Sequence, residues 1–171
     1  MLERYTRAAR LTLFFARYIA NQTGSSCIES EHLLLGVLVA DESLARRFFG
    51  SPLAAEDIWK RIAQNKPARE PVLISVDLPL ANENKRAMAY GAEEAFRLSH
   101  KHIGPEHLLL GLFREKECLA AEILRERGLA LESIRYELSL TPHKEPALKD
   151  VSENQARIRR MLSNSGPGLP S

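Results

Sequence analysis

EHLLLG occupies residues 31–36 and returns unchanged at residues 106–111. A hexamer carrying a Glu-His pair, three leucines and a glycine does not recur by accident in a chain of 171 residues, so an internal repeat is the first hypothesis. Sliding the chain on itself by 75 positions aligns IESEHLLLGVLVADESLARRFF with IGPEHLLLGLFREKECLAAEIL without a gap. Ile28 then meets Ile103, Glu42 meets Glu117, and Leu44-Ala45 meets Leu119-Ala120. Upstream, Leu13, Ala16 and Ala20 fall opposite Met88, Gly91 and Ala95; downstream, after a one-residue shift, Leu53, Glu56 and Ile58 fall opposite Leu129, Glu132 and Ile134. Each repeat is about 60 residues long, a length set by structural periodicity and not by a short motif.

Within each repeat the apolar spacing is helical. Leu11, Phe14, Phe15, Tyr18 and Ile19 follow i, i+3, i+4, i+7 and i+8, one stripe of a helix, and Thr6 is placed to cap it. The hexamer opens a second helix, with Ser30 as the expected cap in the first copy and Gly104-Pro105 as the start in the second, because proline at the first helical position gives up no needed N–H. Three consecutive leucines leave that helix no polar face, so it belongs at the buried centre of its unit. SLARRFF and CLAAEILRERG, the latter stopped by Gly128, and then AAEDIWKRIAQ and LALESIRYELSL complete four helices per repeat.

The expected architecture is all-α: repeat 1 over residues 1–63, a connector over 64–79, repeat 2 over 80–140 and a mostly flexible tail over 141–171. In the connector, Pro67, Pro71 and Pro79 exclude a continuous helix, and VLISV is read as extended chain packed on a lobe, since a lone five-residue run has no sheet partner. In the tail, Pro142 and Pro146 break the pattern, DVSENQARIRRMLSN is a marginal helix, and SGPGLPS reads as a disordered end.

Bulk properties narrow the function. With 44% hydrophobic and 27% charged residues the chain has the makings of a core, and 24 basic against 22 acidic side chains provide no field that would gather nucleic acid or an anionic membrane. LTLFFARYIA is interrupted by Arg17 and lacks a clean cleavage motif, and no run reaches the roughly 20 apolar residues of a membrane span, so a cytoplasmic protein is expected. Cys27 and Cys118 are read as free thiols in a reducing compartment; their spacing suits neither zinc nor a dithiol centre. His32 and His107 follow the motif glutamates without an HExxH pattern and are read as packed structural histidines; His100 and His102, two apart in a polar turn, are weak evidence for a metal. No nucleophile stands with an identifiable base, so neither a catalytic site, a metal nor a cofactor is expected.

The opening MLERYTRAAR and the twin IESEHLLLG and IGPEHLLLG elements resemble the N-terminal domain of the Clp AAA+ unfoldases, the tandem Clp repeat at the start of ClpC- and ClpA-type proteins. The resemblance covers about residues 1 to 140. Such unfoldases continue into ATPase modules, whereas no GxxxxGK[ST] loop occurs in these 171 residues. The resemblance therefore implies a recognition domain without its motor, an accessory or adaptor subunit that binds Clp ATPase or protease subunits, or their substrates and adaptors. It also implies an alternative. In ClpC-type domains the motif glutamates take part in binding phosphoarginine, which carries over to Glu31 and Glu106. Here Glu29 adds a negative charge and Pro105 removes a donor where the anionic half of that ligand would sit.

A last expectation comes from comparing the repeats. Opposite Phe14, Tyr18 and Ile19 the second repeat has Ala89, Glu93 and Glu94, and charged twins imply a solvated face. On that reasoning Phe14, Tyr18 and Ile19 form an exposed apolar patch for a protein partner, unless the connector or the tail covers it, and a homodimer through the first helix is one form such a contact takes. Trp59, opposite Arg135, is read as a partly exposed aromatic anchor of the same surface.

Overall fold

Thr6 starts the first helix as its sequence demands: its backbone is extended and its side-chain oxygen accepts the Ala9 N–H at 3.1 Å. In the computed structural model, which describes residues 2–64, 69–71 and 77–164, the helices run in order α1 Arg7–Gln22, α2 Ser30–Ala40, α3 Glu42–Phe49, α4 Ala54–Ala63, α5 Asn82–Arg97, α6 Pro105–Arg114, α7 Leu119–Glu126, α8 Leu131–Leu140 and α9 Val151–Asn164. The fold is all-α; among the described residues extended pairing is limited to two isolated bridges. The VLISV segment, residues 72–76, lies outside the described residues.

Both copies of the hexamer are central. Every residue of α2 is buried, and α6 is buried from Pro105 to Phe113. The two helices pack on each other, each also forming an antiparallel hairpin with the first helix of its repeat. The motif glycine permits that hairpin: a Cβ at Gly36 would stand 2.5 Å from the Thr12 carbonyl oxygen, and one at Gly111 would collide with that of Ala87.

The repeats interlock through their helix starts. Tyr5 bridges Ile103, with the Thr6 N–H donating to the Ile103 carbonyl at 3.0 Å and the Ile103 N–H to the Arg4 carbonyl at 2.8 Å. The twin bridge joins Leu80 to Ile28, with the Ile28 N–H donating to Pro79 at 2.8 Å and the Ala81 N–H to Ile28 at 2.9 Å. Each long helix therefore begins against the hexamer helix of the other repeat.

Two expectations change. Ser30 is not the cap of α2: Glu29 takes that position, and the Ser30 hydroxyl instead accepts the Ala120 N–H at 3.2 Å, helping to start α7 of the opposite repeat. The tail is not mostly flexible over its described part. Residues 151–164 form α9, which packs on α1 and α4 and buries Asn154, Ile158 and Met161. Arg157 clamps it to Glu56, Nη2 to Oε1 at 2.6 Å, and to the Pro52 carbonyl at 2.8 Å. Its turns are marginal alone, and the apolar stripe becomes stable only against repeat 1.

Candidate functional site

The first turn of each hexamer helix is built around its histidine. His32 Nδ1 accepts the Glu29 N–H at 2.9 Å, and His107 Nδ1 accepts the Gly104 N–H at 2.8 Å, so each imidazole caps the turn that bears it. With Nδ1 an acceptor, the remaining proton of His107 lies on Nε2, which faces His100 Nδ1 at 2.8 Å. Burial, helped by neighbouring His100 and His143, pushes His107 down to about 3, so this ring stays neutral near pH 7.

Glu31 and Glu106 are both buried, 3% and 8% exposed, on twin positions. The structure keeps them in separate sites: Glu31 where α2 meets the start of α5, Glu106 where α6 meets the start of α1. At the first, Glu83 of α5 accepts the Ser30 N–H at 2.9 Å. At the second, Glu145 accepts the Ala8 N–H at 2.9 Å, supplying to α1 the carboxylate that its own first turn lacks. The starts of α2 and α1 thus each hold a carboxylate from elsewhere in the chain.

Glu106 is the unusual member. Its Oε1 is buried without a hydrogen bond, 3.3 Å from His107 Nδ1 and 3.6 Å from His143 Nδ1, and both ring nitrogens of His143 are likewise unpaired. Burial, and secondarily the charge of Asp41, raises the Glu106 carboxyl to about 8. Glu106 and His107 are therefore both neutral at pH 7 and do not form an ion pair. Glu106 and His143 border a pocket of about 720 Å³ lined also by Asp41, Arg47, Phe48, His100 and others of residues 141–147. His100, His143 and Glu145 could not be assigned to it from sequence. Glu145 lies 137 positions from its partner Ala8, and no local pattern announces that contact.

The apolar patch is corrected. Ile19 is fully buried and Tyr18 is 6% exposed, its hydroxyl accepting from Arg159 Nη1 of α9 at 2.9 Å; only Phe14, at 37%, stays open. Trp59 is partly buried against the core, its Nε1 inside without a partner. The inference from charged twins failed because Glu94 is itself fully buried, held by Arg135 with Nε–Oε1 at 2.5 Å and Nη2–Oε2 at 3.1 Å. Ile19 and Trp59 occupy the equivalent positions in repeat 1, so an apolar pair replaces an ion pair, and in both the α1 or α5 member is fully buried while Trp59 or Arg135 is half-buried. Glu93, the twin of Tyr18, is the solvated one, paired with Arg114 at 2.7 Å.

The thiols are poor nucleophiles: burial pushes both Cys27 and Cys118 up, and Cys118 Sγ accepts the Ala121 N–H at the start of α7. Among the described residues no group of three or more His, Cys, Asp or Glu has the arrangement to hold a metal ion, and no helix is long and apolar enough to cross a membrane.

Residues 79–165 match the family described as Clp repeat (R) N-terminal domain, just over half of the chain. The chain is 32% identical over 170 residues to an ATP-dependent Clp protease ATP-binding subunit ClpA homolog of Porphyra purpurea, covering 93% of this chain and 20% of that protein. It is 32% identical over 139 residues to the chloroplastic chaperone protein ClpC1 of Arabidopsis thaliana, covering 81% of this chain and 15% of that protein. It thus spans a fifth or less of these relatives. In fold it is similar to the N-terminal domain of ClpD from Arabidopsis thaliana, with TM-score 0.66 at 24% identity over 82% of this chain and 97% of that one.

Proposed function

Because the chain belongs to the Clp repeat N-terminal domain family, we propose that it is a non-enzymatic protein-binding module of the Clp chaperone and protease system, acting as an accessory or adaptor subunit. Its partners are Clp ATPase or protease subunits, or the substrates and adaptors they handle, in a reducing compartment such as the cytoplasm. The observation that carries this reading is the Glu106 pocket, in which a nine-tenths buried carboxyl, its Oε1 without a hydrogen bond, lies beside a helix start. Buried polar atoms without partners are costly, and an incoming donor relieves that cost. The pocket is therefore favoured over the α1 face, most of which α9 covers.

The same pocket favours a second reading, in which the module captures proteins carrying phosphoarginine-like side chains through Glu106 and its twin Glu31. A guanidinium offers donors to the unpartnered Glu106 Oε1, and the phosphoryl half suits N–H groups at a helix start such as that of Ala8, which Glu145 now holds. Both readings meet one experiment: Clp unfoldase and protease subunits, and separately a phosphoarginine peptide beside its plain-arginine counterpart, are titrated against wild type and Glu106→Gln. Subunit binding weakened about tenfold by the substitution supports the adaptor. Selective binding of the phosphorylated peptide, lost in Glu106→Gln, supports capture. Indifference of every ligand to the substitution removes Glu106 from the function.

A further inference from the structure

Residues 141–150 run without helical structure from the end of α8 to the start of α9, and their side chains make a series of contacts across both repeats. Arg47 Nη1 of α3 donates to the Thr141 hydroxyl at 3.3 Å. His143 sits over Glu106 and against His100 and His107, with ring centroids 5.3 and 5.8 Å away. Glu145 accepts the Ala8 N–H at the start of α1, and Lys149 reaches Glu42 of α3 at 2.9 Å. The segment thus sets a nitrogen heterocycle against the buried carboxyl and, two residues later, a carboxylate on the helix start. That is one nitrogen-bearing ring against the carboxyl and one anion on the helix start.

We propose that residues 141–150 are an intramolecular pseudo-ligand of the Glu106 site, and that the external partner is an extended peptide segment presenting a basic side chain followed two residues later by a carboxylate or phosphoryl group. This rests on the reading of the Glu106 pocket as the partner-binding site. Several features separate a pseudo-ligand from an ordinary packed loop. Neither His143 nitrogen has a hydrogen bond, and Glu106 Oε1 has none, so the contact fills the site without satisfying it. The first turn of α1 carries no acid of its own, and its Ala8 N–H is capped from 137 residues away. A pocket of about 720 Å³ persists alongside, bounded by the segment itself, so a better-fitting peptide has space to enter as the segment leaves. The segment is tethered at both ends, by α8 and by α9 with its Arg157 clamp. Tethering holds it at an effective concentration of about a millimolar, so it excludes weak peptides while yielding to tighter ones.

The test uses the full chain, a labelled synthetic peptide of its own residues 141–150, TPHKEPALKD, and a release variant, His143→Ala with Glu145→Ala. Hydrogen exchange at the Ala8 amide reports release without any ligand: it speeds at least tenfold in the variant if Glu145 is the cap. The peptide then binds the variant at least tenfold more tightly than wild type, and adding Glu106→Gln to the variant removes that gain. Equal binding to wild type and variant, or none to either at millimolar peptide, overturns the inference, as does an Ala8 amide indifferent to release. Competition separates the two claims. If a phosphoarginine peptide and Clp subunits fail to displace the bound decapeptide, the pseudo-ligand stands and the proposed use of the site falls. If they bind wild type and variant alike, the site reading stands and the pseudo-ligand falls.

Discussion

Glu106 and His107 are neighbours in one helical turn whose protonation is displaced in opposite directions by the same cause, burial. The folded Glu106 carboxyl is raised to about 8 from its ordinary 4.5, so the folded state holds a proton that the unfolded chain loses; the associated stability is full below about pH 4.5 and is lost as pH rises toward 8. The folded His107 is depressed to about 3 from 6.5, so its contribution is full above about pH 6.5 and is lost as pH falls toward 3. Thermal stability should therefore peak in mildly acidic solution, between roughly pH 5 and 6.5. In a melting series from pH 4 to 9, Glu106→Gln should flatten the alkaline limb and leave the acid limb in place. An unchanged alkaline limb would mean that the carboxyl is solvated in the folded protein. The histidine of the motif was legible as structural from its context, but its cap on the N–H three residues earlier is a matter of distance that only the structure supplies.

At the scale of elements, the two repeats solve one packing problem in two chemistries. Between α5 and α8 the fully buried Glu94 pairs with the half-buried Arg135; the equivalent positions in α1 and α4 are Ile19 and Trp59. Removing one member of a buried ion pair strands the other, at a cost of roughly 3–5 kcal/mol, whereas replacing both with apolar groups is often neutral. Arg135→Ala should destabilise the protein by less than that in urea unfolding, because Arg97 and Arg114 also lie 3.5 Å from Glu94 Oε2 and keep it from being stranded, and Glu94→Ile with Arg135→Trp, copied from repeat 1, should recover most of the loss. A double variant as unstable as Arg135→Ala would show that the repeats differ in packing and not only in polarity. The helices themselves were legible, since their apolar spacing, Thr6, Pro105 and Gly128 act locally. The role of α9 was not, because a marginal helix is decided by the surface it meets.

At the scale of the molecule, the repeats are not two beads on a string. The Tyr5–Ile103 and Leu80–Ile28 bridges cross between them, α2 packs on α6, Ser30 helps start α7, and Arg61 of α4 pairs with Glu126 of α7 at 2.9 Å. Neither repeat can open without exposing the apolar face of the other's hexamer helix. Denaturant unfolding should be a single transition with coincident circular dichroism and Trp59 fluorescence, the tryptophan lying in repeat 1 alone. A fluorescence transition separated from the loss of helix would show independent repeats. The same interlocking composes both candidate sites from two repeats each, and the carboxylates at their helix starts, Glu83 and Glu145, come from distant sequence.

By itself, the amino-acid sequence determined the all-α class, the repeat and its 75-residue offset, the buried hexamer helix and the family resemblance, because periodicity, caps and motif identity are short-range properties written in neighbouring residues. It also singled out Tyr18 and Ile19 as the place where the repeats diverge. Only the tertiary structure decided what that divergence means: α9 covers Tyr18, the half-buried Arg135 guanidinium offsets the charge of Glu94, and residues 141–150 lie across Glu106. Those outcomes depend on which surfaces meet across wide sequence separations, 41 residues for Arg135 and Glu94 and 141 for Arg159 and Tyr18. Charge and hydropathy at a single position cannot encode the partner that will neutralise or cover it.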